Sequence, residues 1–235
     1  MNKAARTNLE MIKLVASRLD YLLDKVVFLG GATTGLLITN AALPGIRSTL
    51  DVDVMIEITS RKEYYQLEKS LRELGFKQPF GENGPICRWI VEDILVDIMP
   101  TESKILGFSN EWYSPAINNS EKIKLDKNLE INIVTAPYFF ATKIEAFLGR
   151  GHGDYISSHD LEDIITLLDG RDEIISEIKL ETKELRSFLS TRFSEFIKHH
   201  SFLESISGHL LPDSASQARA PLIKEKIEEI ILMGS

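Results

Sequence analysis

The stretch RSTLDVDVMIEI, residues 47–58, constrains the fold more than any other part of this chain. Apolar and polar residues alternate along it, which predicts a strand over residues 50–58, because successive strand side chains point to opposite faces. One face is aliphatic and suits a core: Leu50, Val52, Val54, Ile56 and Ile58. The other face carries Asp51 and Asp53 side by side. Two neighbouring carboxylates repel each other unless a cation lies between them, so this face predicts a cation-binding site.

A second acidic strand is predicted further along the chain. The run ICRWIVEDILVDIMP indicates two strands joined by a tight turn at Glu92 and Asp93, and Asp97 stands opposite an aliphatic stripe on the second strand. If this strand neighbours the 50–58 strand, three carboxylates meet on one sheet face. Carboxylates are hard oxygen ligands, and such a cluster suits two metal ions about 3.5–4 Å apart, as in phosphoryl transfer. The alternative for each carboxylate is a solvated outer strand face.

A glycine turn precedes these strands. The run VVFLGGATT predicts a strand that ends at Gly30 and Gly31 and continues into a helix. Backbone N–H groups at a helix N-terminus favour an anionic phosphate, and Thr33 or Thr34 would add a hydroxyl donor. The alternative is a tight turn that needs glycine only for packing.

The helical pattern divides the chain into an α/β front half and a helical back half. Helices are predicted over residues 8–24, after the glycine turn, and after Ser60, which is a suitable N-cap. Ser157 and Asp160 are spaced as a capping box for a later helix. We predict an α/β core at 1–135, a helical domain at 136–207, a linker at 208–220 and a C-terminal helix at 221–235.

Composition excludes some classes of function. The formal net charge is −8, and most of the acidic excess lies after residue 100. A protein that binds long nucleic acids usually has a basic excess, so only a local nucleic-acid contact is expected. Cys87 is the only cysteine, which excludes an intrachain disulfide. The sequence shows no signal peptide and no membrane span, so a cytoplasmic location is expected.

The motif FLGGATTGLL…RSTLDVDVMI resembles the signature of the polymerase-beta-like nucleotidyltransferase superfamily. That signature has a Gly-Gly or Gly-Ser turn, then Asp-x-Asp on the next strand, then a third acid on a later strand. The lead-in of Arg47 and Ser48 resembles the AbiEii-type branch, the nucleotidyltransferase toxins of type IV toxin–antitoxin systems. The downstream helical motif of that branch is matched by Lys143, Ala146, Arg150, Asp160 and Asp163, with His159 where the branch carries lysine and Ile164 where it carries leucine.

The resemblance implies an α+β fold, with a nucleotidyltransferase-type mixed β-sheet flanked by helices and a helical C-terminal region. It also implies roles for individual residues. Asp51, Asp53 and Asp97 would bind Mg²⁺ or Mn²⁺, and Asp97 would help to activate the acceptor. Lys143 would neutralise triphosphate charge or pair with the carboxylates, and Asp160 or Asp163 would position Lys143 or bind the substrate. The other residues expected to contact the substrate are Gly30, Gly31, Thr33, Arg47, Ser48 and Arg150.

The leading hypothesis is therefore a metal-dependent nucleotidyltransferase that moves a nucleoside monophosphate from a nucleoside triphosphate to an acceptor. The resemblance implies RNA as acceptor, such as a tRNA 3′ end, and a cognate antitoxin as partner. A protein hydroxyl and a small molecule remain open as acceptors. The hypothesis from another class is a nucleotide-binding, non-catalytic partner or antitoxin-like protein that kept the fold without the chemistry.

Overall fold

The computed structural model describes residues 3–40, 46–79, 85–107 and 110–234. Residue 235, at the end of the predicted C-terminal helix, lies outside them. By internal contacts the chain divides into two compact units. Of the described residues, those within 3–35 and 47–135 form the sheet unit, and those within 36–40, 46 and 136–234 form the helical unit.

Within the described residues the elements follow in this order: α1 Lys3–Leu19, a 3₁₀ turn Asp20–Lys25, β1 Val26–Leu29, a 3₁₀ turn Gly31–Thr33, α2 Thr34–Leu37, β2 Asp51–Ile56, α3 Arg61–Glu73, β3 Arg88–Val91, β4 Ile94–Pro100, α4 Ser103–Leu106, α5 Tyr113–Asn118, β5 Glu121–Lys124, β6 Glu130–Ile133, α6 Ala136–Arg150, α7 His159–Gly170, α8 Ile174–Leu180, α9 Lys183–Phe196, α10 His200–Gly208, α11 Ser214–Gln217 and α12 Ala220–Leu232. None of these helices combines the length and the apolar character that crossing a bilayer requires.

The described strands form one six-stranded mixed sheet in the order β3-β4-β2-β1-β6-β5. β2 runs parallel to β4 and β1 parallel to β6, whereas β1–β2, β3–β4 and β5–β6 are antiparallel. The predicted α+β architecture, a mixed sheet with helices and a helical C-terminal region, is confirmed. The polar strand β5 and the short helices α4 and α5 were not predicted.

The predicted hairpin at Glu92 and Asp93 is present. Both residues have positive φ, +48° and +63°, which is the backbone of a type I′ turn. Because two residues separate the strands, Val91 pairs with Ile94 and every further pair is fixed by that register. The predicted Ser60 cap is also confirmed: Ser60 and Glu63 form a reciprocal capping box at the start of α3.

Several local predictions were wrong. The 50–58 strand is shorter, Asp51–Ile56, and Leu50 is 85% exposed instead of in the core. The first helix ends at Leu19, because Asp20 takes a left-handed backbone with φ +46°. Helix α7 is capped by Ser158, which accepts from the N–H of Leu161, and not by Ser157.

Hydrophobic packing differs between the two units. In the sheet unit, Phe28, Val54, Trp89 and Val96 are all buried on or beside the central strands. In the helical unit, aromatic rings fill the core; the Phe147 and Tyr155 ring centroids lie 5.1 Å apart. Edge-on and tilted ring contacts of this kind stabilise a core beyond simple area burial.

Candidate metal centre

The three predicted acids converge in the sheet unit. β2 and β4 are parallel neighbours, and Asp53 pairs directly with Asp97 while Asp51 pairs with Leu95. One carboxylate oxygen from each of Asp51, Asp53 and Asp97 lies within 4.8 Å of the others. The sequence had left open whether these strands are neighbours; the parallel register answers that they are. The side chains are half-buried, with 35% of Asp51 and 13% of Asp97 exposed.

Gly30 makes room for Asp53. It follows β1, whose last residue Leu29 pairs with Asp53 across the antiparallel ladder. Its backbone angles, φ +78° and ψ −174°, belong to a region that essentially only glycine adopts. A Cβ at this position would lie 1.8 Å from Oδ2 of Asp53. The glycine is therefore required both by the backbone and by the carboxylate beside it.

Gly31 makes room for the lead-in to β2. A Cβ on Gly31 would lie 2.3 Å from Nη2 of Arg47 and 2.8 Å from Cγ2 of Thr49. The structure thus places Arg47 against the glycine turn. Thr33 is fully buried and its hydroxyl donates to the carbonyl of Gly30 at 2.8 Å, while Ser48 is exposed. Their roles in substrate binding stay predictions.

Asn8 holds the lead-in to β2, a role that the sequence reasoning missed. Asn8 is 1% exposed; its Nδ2 donates to the Arg47 carbonyl at 3.0 Å, and its Oδ1 accepts from the Thr49 N–H at 3.2 Å. The Thr49 hydroxyl in turn donates to the carbonyl of Asp51 at 3.1 Å. The signal was available, because Asn8 stands four residues before Ile12 and so on the apolar face of α1.

Arg88 is the second residue that sequence reasoning missed. It opens β3, and the hairpin register places it directly opposite Asp97. Its Nε and Nη2 donate to Oδ1 and Oδ2 of Asp97 at 2.8 and 2.7 Å, and Nη2 lies 3.6 Å from Oδ2 of Asp51. These hydrogen bonds hold the pKa of the Arg88 guanidinium above its ordinary value. Counting residue pairs outward from the predicted turn would have revealed this partner.

Cys87, next to Arg88, is excluded as a nucleophile. Its thiol is 3% exposed, and burial, with a contribution from the charge of Asp97, raises its pKa to about 12. A thiol with so high a pKa stays protonated near neutral pH and is a poor nucleophile.

A second charged cluster lies in the helical unit, between α6 and α7. Lys143 Nζ lies 3.2 Å from Oδ1 of Asp160 and 2.7 Å from Oδ2 of Asp163, and all three side chains are more than 90% buried. Arg150, whose side chain is 72% exposed, donates from Nε and Nη2 to both oxygens of Asp160. The four predicted residues therefore do meet. Whether they act on a substrate stays a prediction.

The pKa of Asp160 reflects this environment. Burial acts to raise it, but the charges and hydrogen bonds of Lys143 and Arg150 outweigh burial and hold the pKa below its ordinary value. Asp160 is therefore an anion at neutral pH, paired with two cations.

The donor set of the sheet unit suits a divalent cation. It consists of carboxylate oxygens only, which are the ligands that Mg²⁺ and Mn²⁺ prefer. Because Gly30 has no side chain, the space beside Oδ2 of Asp53 is not filled by this residue. Asp51, Asp53 and Asp97 fit a divalent metal ion by their chemistry and spacing.

Comparison with known proteins identifies the fold. No family model and no curated protein matches the chain. Among solved structures, an antigenic nucleotidyltransferase-like protein from Paracoccidioides brasiliensis is similar, with TM-score 0.52 and 19% identity over 89% of this chain and 95% of that one. JHP933 from Helicobacter pylori aligns with TM-score 0.46 and 13% identity over 100% of this chain and 91% of that one. The chain therefore has the fold of a nucleotidyltransferase-like protein, while the AbiEii-type branch stays a prediction.

Proposed function

We propose that this protein is a metal-dependent nucleotidyltransferase that transfers a nucleoside monophosphate from a nucleoside triphosphate to an acceptor hydroxyl. The observation that carries the proposal is the pairing of Asp53 with Asp97 on parallel neighbouring strands, which gathers three carboxylates beside a glycine turn. Gly30, which has no side chain to displace the Asp53 carboxylate, agrees with this proposal. The nucleotidyltransferase-like fold supports the same reading.

The reaction follows from the chemistry of this site. The acceptor oxygen bonds to the α-phosphorus, the bond from that phosphorus to the bridging oxygen breaks, and pyrophosphate leaves with the bonding electron pair. Asp51, Asp53 and Asp97 would hold Mg²⁺ or Mn²⁺, which neutralises negative charge on the phosphates when bound. In this proposal Asp97 takes up the proton of the acceptor hydroxyl. The Gly30–Gly31 turn presents backbone to the triphosphate.

The remaining predicted residues would act on the substrate. Arg47, beside Gly31, is suited to pair with a phosphate, because its planar guanidinium matches phosphate oxygens. We further propose RNA, with a tRNA 3′ end as the first candidate, as acceptor and a cognate antitoxin as protein partner, on the strength of the sequence resemblance. The net charge of −8 favours contact with one end of an RNA over contact along its length.

The direct test is transfer of label from each α-³²P nucleoside triphosphate with Mg²⁺, in the presence of total tRNA. Wild type is compared with Asp51→Ala/Asp53→Ala and with Asp93→Asn, a control that removes an exposed negative charge from the β3–β4 turn and keeps a residue that tolerates its positive φ. Label on RNA or on the protein should disappear in the double variant and persist in the control. Full labelling by the double variant would refute the proposed mechanism.

One observation favours a second candidate, a nucleotide-binding protein without catalytic activity. Arg88 already occupies both oxygens of Asp97, as would suit a site in which an internal cation replaces the metal. Thermal unfolding distinguishes the two. A nucleotidyltransferase should be stabilised by Mg²⁺ and nucleoside triphosphate together far more than by either alone, because the ion and the phosphates bind as one unit. A non-catalytic binder should respond to nucleotide without Mg²⁺.

A further inference from the structure

Arg88 contacts the acidic cluster through a two-pronged pair of hydrogen bonds. Two parallel N–H···O bonds, from Nε and Nη2, engage both oxygens of Asp97, and Nη2 also approaches Asp51 at 3.6 Å. A two-pronged guanidinium–carboxylate pair is among the strongest hydrogen-bonded contacts in proteins. One unit of positive charge thus offsets part of the repulsion among three carboxylates.

A metal ion at this cluster and the Arg88 guanidinium compete for the same acceptor. Arg88 already uses one lone pair on each oxygen of Asp97, so a divalent cation would have to share these oxygens with the guanidinium. The two cations would also repel each other across a few ångströms. Asp51 is affected less directly, because the same Nη2 lies 3.6 Å from its Oδ2, against 2.7 Å from Oδ2 of Asp97.

The side chain of Arg88 can leave while its backbone stays. The backbone is fixed: the Arg88 N–H donates to the carbonyl of Pro85 at 2.9 Å, and the adjacent Cys87 carbonyl accepts from Ile98 at 2.8 Å. The side chain is less constrained, because Arg88 lies on the edge strand β3 and 30% of its side chain is exposed. Rotation of its side-chain torsions would carry the charge into water without disturbing the sheet.

We propose that Arg88 is a positioning residue that holds Asp97 in the metal-free protein and is displaced from it by the divalent ion. The affinity of the cluster for metal is then set by competition with Arg88. This inference rests on the proposed metal site, and it adds that the site has a built-in competitor opposite its third ligand.

The test measures Mn²⁺ binding to the whole protein by calorimetry, without nucleotide. Arg88→Gln should bind Mn²⁺ at least about tenfold more tightly than wild type, because a nearby positive charge and a competing donor are both removed. Arg88→Lys, which keeps the charge but not the two-pronged contact, should show a smaller gain. Arg18→Gln is the matched control, since Arg18 pairs with Glu92 in the turn of the same hairpin and should leave the affinity unchanged.

Two further variants show whether the effect passes through Asp97. On an Asp97→Asn background, Arg88→Gln should tighten Mn²⁺ binding much less, because only the repulsion between the two cations is then removed. Without metal, in EDTA, Arg88→Gln should unfold at a lower temperature than wild type and should gain more from added Mn²⁺. Unfolding curves in EDTA also show whether each variant is folded. If Arg88→Gln does not fold, Arg88→Lys provides the test in its place.

The outcomes separate the inference from the proposed function. If wild type binds Mn²⁺, Asp51→Asn/Asp53→Asn abolishes binding and Arg88→Gln leaves the affinity unchanged or weaker, the inference is overturned and the metal site stands. If neither wild type nor Arg88→Gln binds Mn²⁺, the metal site fails and the inference fails with it.

Discussion

At the scale of single residues, Gly30 couples the backbone to the acidic cluster. We expect Gly30→Ala to lower nucleotidyl transfer by about 100-fold, because its Cβ would force Asp53 away from its present position and small displacements of catalytic groups are that costly. Mn²⁺ affinity should fall in parallel. Gly75→Ala is the control: Gly75 also has a positive φ, +88°, but open space around its Cβ. It should cost stability, about 1 kcal/mol, and leave transfer unchanged. Equal losses of transfer in both variants would contradict this account.

The three acids could be predicted because their signal is local. A period of two along one strand shows that Asp51 and Asp53 share a face, and no tertiary information is needed for that. Arg88 and Asn8 were missed because their roles depend on tertiary contacts, which the local sequence does not show. Arg88 faces Asp97 only through the hairpin register, and Asn8 reaches the Arg47 carbonyl and the Thr49 N–H from 39 and 41 residues away.

At the scale of elements, Lys143 joins α6 to α7. Removing it leaves Asp163, 2% exposed, and Asp160 without the buried cation. We expect Lys143→Met to lower the free energy of unfolding by about 3–5 kcal/mol, the usual cost of breaking a buried ion pair. Arg150→Met removes a cation from the same Asp160, but an exposed one, and should cost about 1 kcal/mol or less. Urea unfolding at neutral pH measures both; equal effects would show that burial of the pair is unimportant.

The effect of Lys143→Met should also depend on pH. Because the folded protein holds the pKa of Asp160 below its unfolded value, the stabilisation is complete above the unfolded pKa, about 3.9, and is lost as the pH falls toward the lower folded value. The difference between wild type and Lys143→Met should therefore shrink between pH 5 and pH 2.

Elements with a strong periodic pattern could be predicted, and short polar ones could not. Ser60 and an apolar stripe predict helix α3 from the sequence. Strand β5, by contrast, exposes three of its four residues and shows no alternation of apolar residues. Helices α4 and α5 have four and six residues, too few for a helical period to emerge. What holds such elements is the pairing of β5 with β6 and the packing of α5, neither of which is visible locally.

At the scale of the whole molecule, the chain leaves the sheet unit and returns to it. The described residues 36–40 and 46 belong by contact to the helical unit, although the described residues before them and those from 47 to 135 belong to the sheet unit. The carbonyl of Gly170 accepts from the N–H groups of Thr39 and Asn40 at 3.1 and 3.0 Å. Arg171 donates to the carbonyl of Leu37 at 2.5 Å. Composition along the chain cannot reveal such a segment, because its partners lie more than 120 residues away.

The packing of Ile38 against Gly170 reverses the effect on stability that a glycine-to-alanine substitution in a helix usually has. Glycine to alanine in a helix usually stabilises, by up to about 1 kcal/mol. At Gly170, however, a Cβ would lie 2.9, 3.0 and 3.1 Å from three carbons of Ile38. Because these belong to both branches of one β-branched side chain, no single rotamer relieves all three. We expect Gly170→Ala to destabilise by about 1–3 kcal/mol, the usual cost of overpacking.

Urea unfolding of the full chain tests this. Gly149→Ala is the control, because Gly149 lies in α6 with open space at its Cβ, and it should stabilise. On an Ile38→Ala background the clash is gone, so Gly170→Ala should become neutral or stabilising. If Gly170→Ala destabilised equally with and without the Ile38 side chain, the loss would lie in α7 itself and the docking of the 36–46 segment would not explain it. A reversal of sign would instead show that this segment is an integral part of the helical unit.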